Sequence, residues 1–155
     1  YDALGLGGGF PIGAFWVEES WSDLFEPGSH GTTFGGSPLA CSVAHAVLDV
    51  IEEEGLVESV RKKGSVFKEG LSRLAQNYPK FVSNVRGRGF MLALVMTEDP
   101  GKFIEALRKE GLLVVAAAGN CVRFLPPLTS DLTEIEKALQ VTEAVLKTLQ
   151  TKPRA

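Results

Sequence analysis

The chain has 155 residues, which is enough for one ordinary domain with its own hydrophobic core and too few for two typical ones. Apolar residues make up 45% of it, charged residues make up 23%, and the net charge is −3, so the composition predicts neither a nucleic-acid-binding nor a membrane-bound protein. No stretch approaches the roughly 18 consecutive apolar residues of a transmembrane helix, and we expect a cytoplasmic protein.

Two cysteines, Cys41 and Cys121, lie inside apolar runs and have no CxxC or Cys/His neighbours. This pattern predicts no metal site. It favours free thiols in a reducing compartment, and a single disulfide is the open alternative.

The first feature along the chain is a glycine-rich stretch, Gly5–Gly13. Four glycines within five residues predict backbone with positive φ, or a ligand close to the main chain. The stretch is not a P-loop, because no Gly-Lys-Ser/Thr follows, and Phe10 occupies the place of the third glycine in a dinucleotide-binding fingerprint. A structural turn is therefore the better interpretation.

The position of this stretch near the start of the sequence is also informative. Chain ends tend to fray, so a loop this constrained is seldom found there, and we expect the sequence to be a piece of a longer protein.

A second segment, residues 30–40, combines two threonines, two glycines and the start of a helix predicted over 38–54. Ser37 suits the N-cap of this helix and Pro38 its first position. Free N–H groups, a positive dipole end and hydroxyl donors favour an anion, while simple capping by Ser37 is an equally good interpretation. The apolar residues of the predicted helix form one stripe, made of Leu39, Val43, Ala46, Val47, Val50 and Ile51.

Beyond residue 55 the pattern predicts strands alternating with helices. The predicted helices cover 56–76, 99–110 and a last one capped by Ser130 or Asp131, and the predicted strands cover 81–85, 89–96, 112–115 and 121–125. The first strand pair would turn at Arg86-Gly87-Arg88 and the second at Gly119-Asn120. This order predicts an α+β domain in which helices cover one face of a small, mostly antiparallel sheet.

Arg123 is the single charged residue in the apolar run 121–128. A lone arginine in such a strand must face solvent, a partner carboxylate or a substrate. We interpret it first as an edge-strand arginine that faces solvent. Arg86 and Arg88 have the same ambiguity, and we interpret them as parts of a structural turn.

Taken together, five segments resemble the class III, fold type I, pyridoxal-phosphate (PLP) aminotransferases. Gly5–Ala14 is similar to the stretch that follows their Schiff-base lysine, and Thr32–Cys41 to their phosphate-contacting loop, usually Thr-Phe-Gly-Gly-Asn-Pro. Asp49–Leu56, Val85–Met91 and Val122–Leu128 follow in the expected order. Within the family, the resemblance is closest to the acetylornithine type.

The resemblance implies an α/β PLP-transferase parent fold. Residues 1–37 would be the end of its large PLP-binding domain, 38–76 connecting helices, 77–150 a small C-terminal α+β domain, and 151–155 a tail. It also implies PLP as cofactor, amino acid and 2-oxo acid substrates, and a homodimer. The implied reaction moves the amino group of N-acetylornithine, or of a related ω-amino acid, to 2-oxoglutarate in arginine biosynthesis. Ornithine and 4-aminobutyrate are alternative donors.

Residue by residue, the resemblance implies that Thr33, with Thr32 beside it, binds the PLP phosphate of the neighbouring subunit. It implies that Arg123 clamps the substrate α-carboxylate. The family has its Schiff-base lysine directly before Gly5, where this sequence has Leu4. Leucine carries no amine, so the chain contains no catalytic residue of its own and is expected not to transaminate alone. The alternative function is a catalytically inert remnant that acts as a binding or regulatory partner.

Overall fold

The computed structural model describes residues 2–3 and 5–151, with side chains from residue 5 onward. In this part the chain forms two compact units, the first ending at Leu56 and the second beginning at Val57. The elements of the first unit are two short antiparallel strands, a 3-10 helix and one long helix: β1 (Asp2–Ala3), β2 (Ala14–Phe15), the 3-10 helix Glu19–Leu24 and α1 (Pro38–Glu53). None of the helices in the described part is long and apolar enough to cross a membrane.

The second unit is an α+β domain built on one four-stranded sheet. Its elements are α2 (Leu56–Asn77), β3 (Val82–Arg88), β4 (Met91–Met96), α3 (Gly101–Lys109), β5 (Val115–Ala117), β6 (Cys121–Phe124) and α4 (Leu132–Thr151). The strand order is β3-β4-β6-β5, and every neighbouring pair is antiparallel. The predicted small antiparallel sheet is therefore confirmed. Of the predicted tail, Thr151 still belongs to α4 and 152–155 lie outside the described residues.

One face of the sheet carries the core of the second unit. Strand side chains alternate between two faces, and the even-numbered residues of β4 and β6 pack against α2, α3 and α4. The residues of this core with no exposed surface are Leu71, Leu94, Leu107, Val122, Thr142 and Leu146, and Cys121 on the opposite face is fully buried as well. The helices therefore cover a single face, as the sequence predicts.

Helix α1 begins as predicted, and its apolar stripe is partly exposed. Ser37 is the N-cap and its hydroxyl accepts a hydrogen bond from the Ala40 amide at 3.4 Å. The buried residues are Ala40 and Ala44, whereas Leu39 is 64% exposed and Val50 43%. Of the other stripe residues, Val43, Val47 and Ile51 are half-buried and Ala46 is exposed, so the stripe is only partly covered.

The predicted turn at Arg86-Gly87-Arg88 is also wrong, because these residues extend β3 and pair with Met91, Leu92 and Ala93. The chain instead reverses at Gly89, whose φ of 57° lies in the left-handed region that a tight turn needs.

The prediction that Arg123 lies on an edge strand is wrong as well, because β6 lies between β4 and β5. The Gly119-Asn120 turn is confirmed, with φ of 73° and 55°.

Helix α4 begins with a reciprocal pair of hydrogen bonds. The Glu134 amide donates to Asp131 Oδ1 at 2.8 Å, and the Asp131 amide donates to Glu134 Oε2 at 3.0 Å. This is a capping box with aspartate at the N-cap, so Asp131 rather than Ser130 is the cap.

Replacing the cap by Asp131→Ala should lower the free energy of unfolding by about 1 kcal/mol, because an amide of the first turn loses its acceptor. Urea denaturation followed by circular dichroism would measure the change. Glu134→Gln is the matched control, since glutamine can still accept the Asp131 N–H, and its loss should be clearly smaller. Equal stability of Asp131→Ala and the parent chain would contradict the cap.

Candidate functional site

The glycine-rich stretch forms a compact turn that only small residues fit. Gly8 and Gly9 have φ of 55° and 115°, which confirms the predicted positive φ. The Phe10 amide donates to the Gly7 carbonyl at 2.9 Å, and a Cβ on Gly7 would overlap the Phe10 carbonyl oxygen. Leu4, the residue before this turn, lies outside the described residues.

The threonine loop holds Thr32 against a glycine and leaves Thr33 exposed. The Thr32 methyl lies close to the Cα of Gly35, where a side chain on Gly35 would collide with it. Ser37 closes the loop by donating its amide to the Phe34 carbonyl at 3.4 Å. Among the described residues, the Thr33 hydroxyl has no hydrogen-bond partner. The loop therefore presents a free hydroxyl in the segment that leads into the N-terminus of α1, and a hydroxyl combined with a helix N-terminus is favourable for an anion.

Aromatic side chains form an exposed cluster in the first unit. The rings of Phe15 and Phe25 are 5.4 Å apart, and the His30 ring lies at 5.9 and 6.2 Å from them in edge-on contact. Phe15 and Phe25 remain about half exposed, at 52% and 48%. Contiguous exposed aromatic surface of this kind is typical of a face that another chain or domain covers.

In the second unit, the sheet face opposite the helices carries two arginines in one row. Arg86 on β3 pairs with Ala93 on β4, and Ala93 pairs with Arg123 on β6. Arg123 also pairs with Val115 on β5. In-register residues point to the same side of a sheet, so the four side chains form a row that we call the arginine face. Sequence reasoning missed the place of Arg86 because it put that residue in a turn. The signal that could have found it is the alternation of faces along a strand, which places Asn84 and Arg86 on the same side of β3.

Arg123 lacks an acceptor that its chemistry requires. Its Nε is buried and has no hydrogen-bond partner. All four ion pairs of the described residues join helix side chains three or four positions apart, and none involves Arg123. A buried donor without a partner costs about 1–3 kcal/mol. A guanidinium held this way is suited to receive a carboxylate, which binds its two parallel N–H groups.

The shifted pKa values lie away from this face. A hydrogen bond from Lys109 lowers the pKa of the Glu105 carboxyl on α3, and a hydrogen bond to Glu143 raises the pKa of Lys147 on α4. Both cysteines are free thiols, and the described residues contain no cluster of His, Cys, Asp and Glu that could hold a metal ion. The candidate chemistry is therefore anion binding by Thr33 in one unit and by Arg123 in the other.

Comparisons with known proteins agree on one family. The family model described as "Aminotransferase class-III" matches residues 3–146. The mitochondrial acetylornithine aminotransferase of Neurospora crassa is 41% identical over 150 residues, which are 97% of this chain and 32% of that protein.

Solved structures show the same relation. The acetylornithine aminotransferase of Elizabethkingia anophelis superposes with a TM-score of 0.82 at 32% identity, covering 92% of this chain and 37% of that one. A PLP-bound amine transaminase from an uncultivated Pseudomonas species gives 0.80 at 31% identity, covering 92% and 36%. The chain thus spans about a third of the length of the relatives it matches.

Proposed function

Because this chain belongs to the class III aminotransferase family, we propose that it is the C-terminal part of a PLP-dependent enzyme that moves the amino group of N-acetylornithine to 2-oxoglutarate. The donor is inferred from the names of the most similar curated relatives, which are acetylornithine aminotransferases. Such a reaction belongs to arginine biosynthesis. Ornithine, which names several of the similar structures, is the next candidate donor.

The observation that carries the proposal is the orphaned Nε of Arg123. Both substrates of an aminotransferase carry an α-carboxylate, and a planar guanidinium binds a carboxylate through two parallel hydrogen bonds. Arg123 is fixed on an interior strand with neighbours on both sides, so its position is well defined before a substrate arrives. Its role is to bind and orient the carboxylate of each substrate in turn.

The described residues fit part of PLP. Thr33 offers a free hydroxyl in the loop that leads into α1, and Thr32 supports this loop by packing on Gly35, so the two fit the phosphate group. PLP supplies the electron-withdrawing ring on which amino transfer depends. The aldehyde end of PLP requires a lysine amine, and position 4 holds leucine. This chain therefore offers contacts for the phosphate and for the substrate but no covalent attachment.

The exposed residues of the first unit fit a partner subunit. Apart from Phe15 and Phe25, Trp16 and Trp21 are 64% and 58% exposed, and Leu39 and Val50 of the α1 stripe are exposed as well. Surfaces this apolar are commonly buried in obligate homodimers. We therefore propose that residues 1–37 are the end of a large PLP-binding domain with a homodimer contact, that 38–76 are connecting helices, and that 77–150 are the small C-terminal domain of a cytoplasmic enzyme.

The proposal is tested in a chimera. The segment of the Neurospora crassa relative that matches this chain is replaced by this chain carrying Leu4→Lys, and transfer from N-acetylornithine to 2-oxoglutarate is followed by glutamate formation. We expect activity with N-acetylornithine exceeding that with ornithine and 4-aminobutyrate. Adding Arg123→Lys should lower kcat/KM by about 10- to 100-fold, mainly through KM, because lysine keeps the charge but cannot form the paired hydrogen bonds.

Stability measurements distinguish binding from folding. In the 155-residue chain, Arg123→Met removes the unpaired buried donor, so the free energy of unfolding should stay equal or rise by about 1 kcal/mol. A chimera that is active with Arg123→Met at unchanged KM would overturn the carboxylate role. A preference for 4-aminobutyrate over N-acetylornithine would overturn the proposed donor while leaving the reaction class intact.

A further inference from the structure

Arg86 makes one long-range hydrogen bond that links the two ends of the sheet. Its Nη2 donates to the Ala118 carbonyl at 3.0 Å. Ala118 belongs to the turn between β5 and β6, and Arg86 stands on β3, at the opposite edge of the sheet. The side chain therefore starts in the row that contains Arg123 and crosses the arginine face diagonally above β4, towards the end of the sheet where Val95 pairs with Cys121.

The residue between the two arginines is small and covered. Ala93 is paired with Arg86 on one side and with Arg123 on the other, and it is only 8% exposed. Successive antiparallel partners lie about 4.5–5.5 Å apart, so the Cα atoms of the two arginines are roughly 10 Å apart. An alanine at the centre leaves room for both long side chains to lie along the face.

The turn held by Arg86 fixes the strand that carries Arg123. The turn joins Ala117 to Cys121, which are paired, and both Gly119 and Asn120 have positive φ. The Asn120 carbonyl accepts from the Met96 amide at 2.9 Å, which ties the turn to β4 as well. Arg123 follows only two residues after Cys121. Because a one-residue shift of a strand exchanges its two faces, the turn sets whether Arg123 points to the arginine face.

We propose that Arg86 is a positioning residue for Arg123: by binding the Ala118 carbonyl it holds the β5–β6 turn, and with it the orientation of the carboxylate clamp. The inference rests on the proposed function for the role of Arg123 in substrate binding. The positioning itself is a property of the 155-residue chain and can be measured without substrate.

The first measurement is amide hydrogen exchange in the 155-residue chain. Arg86→Met should speed exchange of the amides at 119–121 by about tenfold or more relative to the parent chain. Arg86→Lys, which keeps one donor on a shorter arm, should give a smaller increase. The matched control is Arg88→Met. Arg88 lies two residues further along the same strand and, among the described residues, has no hydrogen bond to the turn, so this variant should leave exchange unchanged.

The second measurement uses the chimera with Leu4→Lys. Arg86→Met should raise KM for both N-acetylornithine and 2-oxoglutarate by about fivefold or more with a smaller change in kcat, and Arg86→Lys should restore part of the loss. Arg88→Met should change neither by more than about twofold.

The outcomes separate the two claims. Unchanged turn exchange in both Arg86 variants overturns the positioning role, whatever the chimera does. A higher KM for 2-oxoglutarate alone, with unchanged exchange, would indicate that Arg86 binds the second carboxylate directly. That result would also overturn the positioning role. Faster turn exchange in an Arg86 variant, combined with a chimera whose KM is insensitive to Arg123→Lys, supports the positioning and rejects the proposed function.

Discussion

Replacing the leucine at position 4 by lysine is expected to raise amino-group transfer in the chimera by at least about 10³-fold over the version that keeps Leu4. A lysine amine at this position would hold PLP covalently and would supply a group for proton transfer at the substrate, and general acid–base assistance alone contributes about 10²- to 10⁴-fold. Leucine offers no atom for either task. The same comparison predicts that the 155-residue chain has no measurable transaminase activity.

Mass spectrometry after borohydride reduction shows where PLP is attached. With Leu4→Lys, the pyridoxyl group should be found on the peptide containing residue 4, saturating at one equivalent of PLP per chain. The Leu4 version should give only scattered labelling of surface lysines. Leu4→Met is the matched control, because it changes the side chain without adding an amine.

The same measurement bears on the alternative function. A chimera with Leu4 that transaminates at a rate close to that of the Leu4→Lys version would show that the attachment site lies elsewhere. An inactive chimera with Leu4 that still forms stable dimers would instead agree with a non-catalytic binding partner.

The largest stability loss is expected for Gly64→Ala, at about 2 kcal/mol. Gly64 lies on α2 against the turn between β3 and β4, and a Cβ there would be 2.6 Å from the Gly89 carbonyl oxygen and 2.9 Å from its Cα. These are backbone atoms of a tight turn, which cannot move aside without breaking the β3–β4 pairing. Overpacking of this kind costs about 1–3 kcal/mol or more, and the higher helix propensity of alanine returns only about 1 kcal/mol.

Gly70→Ala is the matched control on the same helix. Its Cβ would meet Leu139, but the contacting atoms are the terminal methyl groups and Cγ of a flexible side chain. Leu139 can change rotamer, and the gain in helix propensity offsets the remaining strain, so the net change should stay within about 1 kcal/mol. Urea denaturation of the two variants measures the difference. A loss for Gly70→Ala equal to that for Gly64→Ala would show that backbone contact is not the cause.

The predictions that failed concern residues whose environment depends on distant parts of the chain. Residues 86–88 look like a turn because glycine is flanked by charges, yet pairing with β4 extends the strand through them. Arg123 looks like an edge-strand residue in the sequence, yet its strand lies between β4 and β5. A local sequence pattern indicates the backbone preference of a segment, but it does not indicate which other segment of the chain will pair with it.

Local structure was predicted correctly wherever a few neighbouring residues determine the backbone. Ser37 at the start of α1, the positive φ of Gly8 and Gly9, and the Gly119-Asn120 turn all follow from short-range sterics and hydrogen bonding. The sequence likewise indicated the family, because five motifs in the expected order are far more specific than any one of them. The leucine at position 4 is also a fact of the sequence alone.

Only the tertiary structure decided where the two arginines lie relative to each other. Nothing in the run around Arg123 shows that its strand is interior, that its Nε is buried without a partner, or that Arg86 shares its row. Those facts depend on the strand order β3-β4-β6-β5, in which two arginines far apart along the chain become neighbours across a single alanine. Strand pairing depends on which face of each strand is buried, and it therefore determines which distant residues become neighbours on the opposite face.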